Sequence, residues 1–459
     1  MAEDPNLQNE LELARARDRD LVSNAQRRKK RKMTVIAACA ALGIHGYFHV
    51  KDRLIAEQRT AQLAIRRLLY HEPRKGLVTA EIPTPEQSAW AIFLSSGSRR
   101  DEAWFEWVTL PHEYFTKLVD LCTPLWETTP IEANKGDYVN GTPRPQDLAR
   151  RKLDCTATVA IALHFFAKPD SRSGIGKQFG LTETHTTKYM MFGLYIIVKA
   201  LHSHPDARIE WKCNDPEYLK LQNDRIHRMA RELKILFGIL LVGWMDGVRF
   251  GICKKGKRKK QKEDYSGEKK THLRKIILIT DSEGIVVAAV VNCPGVWGDS
   301  KCTDVGGLYE LIDSLLDGYS IGADTAFRGD LLNSKVTKIL KMGDHLPAGM
   351  SHEDYELLEA LLIKARQPAE WANNCLIQSF RRLRQCLGIF DDLNGELMMA
   401  CLLLHNYRTR NCDRNQVKKY FNILEQEEKE EEAAAAAAED EEDEEEEEEE
   451  ELFQIGYGI

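Results

Sequence analysis

The stretch that most constrains the fold is residues 239–252, ILLVGWMDGVRFGI. It is apolar and rich in β-formers, which predicts a buried strand. In its middle stands one carboxylate, Asp246. A buried carboxylate is costly unless a cation or hydrogen-bond donors meet it, so a partner is expected there.

Two further apolar runs, 275–280 (KIILIT) and 285–292 (IVVAAVVN), are separated by Asp281-Ser282-Glu283-Gly284. Turn residues between two β-rich runs predict a hairpin. After Cys293-Pro294-Gly295 the pattern predicts a helix over 300–316, then a fourth strand over 319–323 that ends on Asp324. A strand, a hairpin, a crossover helix and a further strand is the beginning of a ribonuclease-H-like sheet. The expected class is therefore α/β, a ribonuclease-H-like mixed sheet flanked by helices and preceded by an all-α region with a helix-turn-helix.

The segments WMDGVRFGI, NCPGVWGDS, GADTAFRG and RQPAEW, in that order, resemble the DDE transposase domain of the PIF/Harbinger superfamily, whose domesticated members are called Harbinger-derived nucleases. The similarity covers roughly residues 105–412. It implies a nuclease or strand transferase acting on DNA phosphodiesters, a nuclear location, a separate Myb-like DNA-binding partner and a homo-oligomer when active. It also implies a third acid just before an F-x-x-L-R/K stretch, which places it at Glu370.

Charge supports a polyanion partner once the chain is divided. The overall charge of −7 hides a segment, 425–451, with 19 acids and one lysine, so the rest is basic by 11. A basic body with an acidic tail suits nucleic-acid binding. The 11 cysteines are scattered with no CxxC pair, which suggests neither a disulfide framework nor a structural zinc site. Residues 35–50 are apolar but broken by His45, Gly46 and His49 and too short to span a bilayer, so no stable membrane association is expected.

Four regions follow along the chain. Residues 1–100 form a basic, partly disordered helical arm, whose six cations from Arg27 to Lys32 read either as a solvated run or as a nuclear import signal. Residues 101–237 are helical, with a long helix over 146–166 and a helix-turn-helix at about 173–201 built on Gly180-Leu181-Thr182, where Thr182 is the expected cap. Thr184, His185, Thr187 and Lys188 stand near the start of its second helix, where they can reach bases or phosphates; a packed helical corner explains the pattern too. Residues 238–412 form the catalytic region, and 413–459 an acidic low-complexity tail.

Asp246, Asp324 and Glu370 are the expected catalytic and metal-binding residues. Three convergent carboxylates repel one another and are stable together with oxygen-loving cations, here two Mg²⁺ or Mn²⁺ ions, with Asp246 bridging. Glu356 and Glu359 compete weakly for the third place. Pro368 is expected in the first turn of a helix carrying Glu370. Asp299, in PGVWGDS, is ancillary and reads as a helix cap. DNA contacts are expected from Lys254, Lys255, Lys257 and Arg258, whose cluster is also a candidate import signal, and from Arg381, Arg382 and Arg384. The rival reading is a domesticated, non-catalytic DNA-binding or chromatin adaptor that keeps the transposase fold.

Overall fold

The structure, a computed structural model, describes residues 82–131, 148–253, 258–332, 334–340, 345–347, 349–387 and 391–412, with short pieces at 138–139, 142–143, 417, 419–420, 422–426 and 429–430. All the described residues belong to one compact unit, which starts at Leu77. Of the expected arm, residues 1–81, with the 27–32 cations and the 35–50 stretch, lie outside the described residues, as does the tail beyond residue 430; residues 82–100 are described and bring Trp90 into the buried core. Among the described residues no helix is long and apolar enough to cross a membrane.

Among the described residues, eight α-helices precede the main sheet: α1 (Ala89–Ser95), α2 (Asp101–Val108), α3 (His112–Thr128), α4 (Cys155–Ala167), α5 (Arg172–Phe179), α6 (Glu183–His202), α7 (Pro216–Met229) and α8 (Glu232–Phe237). Helix α4 is buried along nearly its whole circumference and packs against α2, α3 and α6. It starts nine residues later than the periodicity predicts, because Asp154 accepts a hydrogen bond from Ala157 N at 2.7 Å and caps it there. Between α5 and α6 the chain turns at Gly180, with φ +69°. Only glycine fits, since a Cβ would lie 2.5 Å from the Thr84–Pro85 backbone.

The main sheet follows: β1 (Leu240–Gly251), helix α9 (Arg258–Asp264), β2 (Tyr265–Ser266), β3 (Thr271–Thr280), β4 (Val286–Pro294), helices α10 (Asp299–Val305) and α11 (Leu308–Asp313), β5 (Tyr319–Ala323) and β6 (Val336–Lys338). Strand β1 is central. It pairs antiparallel with β3 and parallel with β5; β3 pairs antiparallel with β4, and β5 parallel with β6. The long strands thus lie in the order β4-β3-β1-β5-β6, and β2 adds to the end of β3. This mixed topology is compatible with the expected ribonuclease-H-like sheet. The expected 300–316 helix is two short ones, broken at Gly306-Gly307, where Gly307 takes φ +76°.

Two further helices, α12 (His352–Ser379) and α13 (Asp391–Asn411), complete the chain's described core. Helix α12 opens on a capping box in which Ser351 Oγ accepts from Asp354 N at 3.0 Å. It does not begin near Pro368 as expected: that proline stands inside a 28-residue helix. A proline there removes one backbone hydrogen bond and crowds the preceding turn. The buried stripe of Leu358, Leu361, Leu362, Ala365, Ala369, Ala372 and Leu376 offsets this, carrying the helix across the sheet. One buried cluster runs from Trp90 in α1 through α4 and α6 to Phe250 in β1 and Leu402 in α13, so helical region and sheet share a core.

Candidate active site

The parallel register of β1 and β5 sets the first two acids side by side. Trp244 is registered with Gly322 and Met245 with Ala323. The next residue on each strand is an aspartate, Asp246 and Asp324. Side chains alternate between faces along a strand, so Asp246 shares the face of Trp244, which packs against Ala365 and Ala369 of α12. Met245 and Ala323 belong to the separate cluster with α10 and α11 on the other face. A glycine permits this proximity. At Gly322 an added Cβ would sit 2.2 Å from Trp244 Cζ3, so the indole can lie flat over β5 only because residue 322 has no side chain.

Helix α12 crosses that face and presents Arg366, Glu370 and Asn373 at i, i+4 and i+7, one stripe of an α-helix. Asn373 Nδ2 donates to Asp246 Oδ2 at 2.7 Å, and Gly247 N donates to Asp246 Oδ1 at 2.8 Å. The Arg366 guanidinium lies among all three expected acids: 3.6 Å from Asp246 Oδ2, 3.8 Å from Asp324 Oδ1 and 3.7 Å from Glu370 Oε1. Asp246 is the deepest of them, its side chain 16% exposed against 37% for Asp324 and 47% for Glu370. Burial pushes its carboxyl above the usual aspartate range, and Asp324 and Asp299 add to the rise; the Gly247 N–H and Arg366 oppose it. Glu359 is eleven residues before Glu370, about 16 Å along the helix axis, and Glu356 is farther still. Neither can join the cluster.

The donor set suits a hard divalent cation. Three carboxylates supply oxygen ligands, and the Asn373 amide oxygen is buried with no hydrogen-bond partner. Among the described residues, however, no three His, Cys, Asp or Glu side chains stand close enough to share one ion. Arg366 accounts for this: its guanidinium occupies the space between the acids. Neither Arg366 nor Asn373 was anticipated from the sequence. Their seven-residue spacing through Glu370 was a usable signal, but only the position of α12 over β1 and β5 gives it meaning.

The remaining expected residues fall elsewhere. Asp299 is not a helix cap; Gly298 holds the N-cap place of α10. Its buried carboxylate accepts from Lys275 Nζ at 2.7 Å and faces Arg249 at 3.5 Å. It lies 3.2 Å from where a Gly247 Cβ would point, on the face opposite Asp246, so it ties β3 to the start of α10 through Lys275 and acts on Asp246 only through its charge. Arg382 is also reassigned. It donates to the carbonyls of Phe165 and Asp170 and lies 4.4 Å from the Phe165 ring centroid, fixing the turn Arg381–Arg384 to α4. Arg381 and Arg384 beside it are exposed.

At the start of α6, Thr184 and Lys188 are exposed, and His185 and Thr187 half-buried. Thr182 occupies the N-cap position but its hydroxyl pairs with His185 Nδ1 at 2.8 Å instead of capping a backbone N–H. Burial, with Lys152 and Lys188 nearby, lowers the His185 pKa. Lys254, Lys255 and Lys257 lie outside the described residues, and Arg258 is the first residue of α9.

Comparison with known proteins gives one finding. No curated protein and no solved structure matches the chain. Residues 245–406, about a third of the sequence, match the family model of the DDE superfamily endonucleases, a stretch that opens one residue before Asp246 and takes in Arg366, Glu370 and Asn373. That match supports a DDE-transposase-like endonuclease domain over these residues.

Proposed function

We propose that this protein is a divalent-metal-dependent DNA endonuclease and strand transferase of the PIF/Harbinger type. The observation that supports the reading is that Asp246 in the middle of β1, Asp324 just past the end of β5 and Glu370 on α12 each lie 3.6–3.8 Å from the Arg366 guanidinium, inside the stretch that matches DDE endonucleases. These carboxylates would hold Mg²⁺ or Mn²⁺, which would supply activation of a water or a DNA 3′-hydroxyl and charge neutralisation for an in-line displacement at phosphorus.

The chain's own residues orient that chemistry. Asn373 and the Gly247 N–H hold Asp246 so that its carboxylate faces α12. Trp244 over Gly322 fixes the spacing of the two strands that carry the aspartates. Arg381, Arg384, Thr184 and Lys188 are exposed and supply backbone contacts to DNA, with His185 and Thr187 beside them at the start of α6 and the 254–258 cations as further candidates. A nuclear location, a homo-oligomeric active form and a Myb-like partner complete the proposal by resemblance.

Fe²⁺-directed hydroxyl-radical cleavage of the full chain tests it, because a bound iron cuts the backbone beside its ligands and so separates this site from the acidic tail. Cuts next to residues 246, 324 and 370, competed away by Mg²⁺ and lost in Asp246→Asn, are expected. Cuts confined to the tail would favour the non-catalytic adaptor instead.

A further inference from the structure

Arg366 sits among three carboxylates yet is hydrogen-bonded to none of them. Its contacts of 3.6, 3.7 and 3.8 Å are beyond hydrogen-bond range, and its Nε is buried with no partner. Other inward-facing arginines make hydrogen bonds. Arg382 donates to two carbonyls while stacking on Phe165, and Arg274 Nη1 donates to the Asn292 carbonyl at 3.1 Å. The difference is functional in form: a guanidinium with five donors that makes no hydrogen bond at its site supplies charge without fixing geometry.

Charge balance says what the position is suited to exchange. With the acids ionised, the cluster carries three negative charges against one positive. A divalent cation would bind the same oxygens that Arg366 now faces, and the two cations repel strongly at about 4 Å in a partly buried site. They compete for one place. Once displaced, the guanidinium remains one helical turn from Glu370, beside any phosphate held there, and its planar fork suits phosphate oxygens.

Resting on the metal-dependent reading above, we propose that Arg366 is the exchangeable counter-ion of the carboxylate site, displaced when divalent cations bind and then taken up by a DNA phosphate. Cation and DNA binding are thereby coupled. Without DNA the displaced guanidinium gains only water, and the cation binds weakly; with DNA it gains a phosphate, and each ligand strengthens the other.

The test uses the full-length protein and Arg366→Met, with Fe²⁺ cleavage beside residues 246, 324 and 370 as the readout in the absence of DNA. The variant should reach half-maximal cleavage at about ten-fold lower Fe²⁺ or less. For a short DNA duplex in Ca²⁺ buffer, its plot of log Kd against log salt should be shallower than wild type by about 0.9, one phosphate contact. In EDTA the two slopes should coincide. Equal or weaker cation binding by Arg366→Met, with the signal still abolished by Asp246→Asn, overturns the counter-ion role and leaves the metal site standing. Equal salt slopes in Ca²⁺ overturn the transfer to phosphate. Absence of cleavage at this site in every protein removes the metal reading and the inference together. Should Arg366→Met fail to fold, phenylglyoxal labelling of wild type decides: Arg366 becomes more reactive on adding Mg²⁺ if it is displaced, and unchanged or slower labelling overturns the proposal.

Discussion

Replacing Gly322 by alanine should damage the site without touching any acid. The new Cβ would lie 2.2, 2.3 and 2.6 Å from three atoms of the Trp244 ring. Reaching ordinary contact near 3.4 Å needs a movement of about 1.2 Å. The indole cannot easily supply it, being 2% exposed and packed among Leu331, Ala365 and Ala369. Strand β5 must therefore move away from β1, and it carries Asp324 two residues further on. Overpacking of this kind costs about 1–3 kcal/mol, against which the loss of glycine's freedom in the unfolded chain returns roughly 0.4–1 kcal/mol. A net destabilisation of about 1–2 kcal/mol is expected in urea unfolding. A misplacement of about 1 Å can lower a rate as much as 100-fold, so DNA cleavage should fall far more than stability. Trimming the ring in Gly322→Ala/Trp244→Phe should recover part of both losses, since the two side chains share one space. An alanine variant that unfolds at the wild-type urea concentration and cleaves DNA at the wild-type rate would refute the reasoning.

Other perturbations separate the remaining roles. Because burial raises the folded pKa of Asp246, its contribution to stability is present at low pH and lost as pH rises through that pKa. Asp246→Asn in EDTA at pH 7 should accordingly melt higher than wild type, and a lower melting temperature would contradict this. Burial lowers the pKa of His405 from 6.5 to about 4, while its Nε2 pairs with the Gly284 carbonyl at 2.9 Å. The folded state therefore binds fewer protons than the unfolded chain between these values, and stability falls as pH drops from 6.5 toward 4, by up to about 3 kcal/mol. His405→Gln, compared with wild type by urea unfolding across that window, should lack this slope. The neighbouring Asp281, raised to about 6 chiefly by burial, acts in the opposite sense in both proteins, its stabilisation growing as pH falls from 6 to 3.8. Arg382→Ala should lose about 1–3 kcal/mol of stability with an unchanged salt slope for DNA. Arg384→Ala should leave stability alone and reduce that slope by about 0.9.

What the sequence made legible depended on whether local chemistry or distant packing decided it. Asp246 announced itself because a carboxylate in an apolar strand needs a partner, and the Asp281–Gly284 turn because its residues specify the reversal. Gly180 marked the turn between α5 and α6 for the same local reason. By contrast, Pro368 suggested a helix start, and only the buried stripe of α12 against the sheet carries the helix through it. Arg382 looked like its exposed neighbours Arg381 and Arg384 until the Phe165 ring and two carbonyls met it. Arg366 and Asn373 were visible as a stripe with Glu370, but their partners come from strands more than 40 and 120 positions earlier. Nothing local to α12 could identify them.

The central claim, that Asp246, Asp324 and Glu370 form one metal-dependent phosphodiester-cleaving site, is tested most directly by nicking of supercoiled plasmid. The full-length protein would be assayed in Mn²⁺ beside Asp246→Asn, Asp324→Asn and Glu370→Gln, each checked for folding by circular dichroism. The account predicts Mn²⁺-dependent nicking by the wild type and its loss, by about 100-fold or more, in each single variant. Nicking that persists in EDTA or survives Asp246→Asn would contradict it, as would a folded wild-type protein that binds DNA and never cuts it.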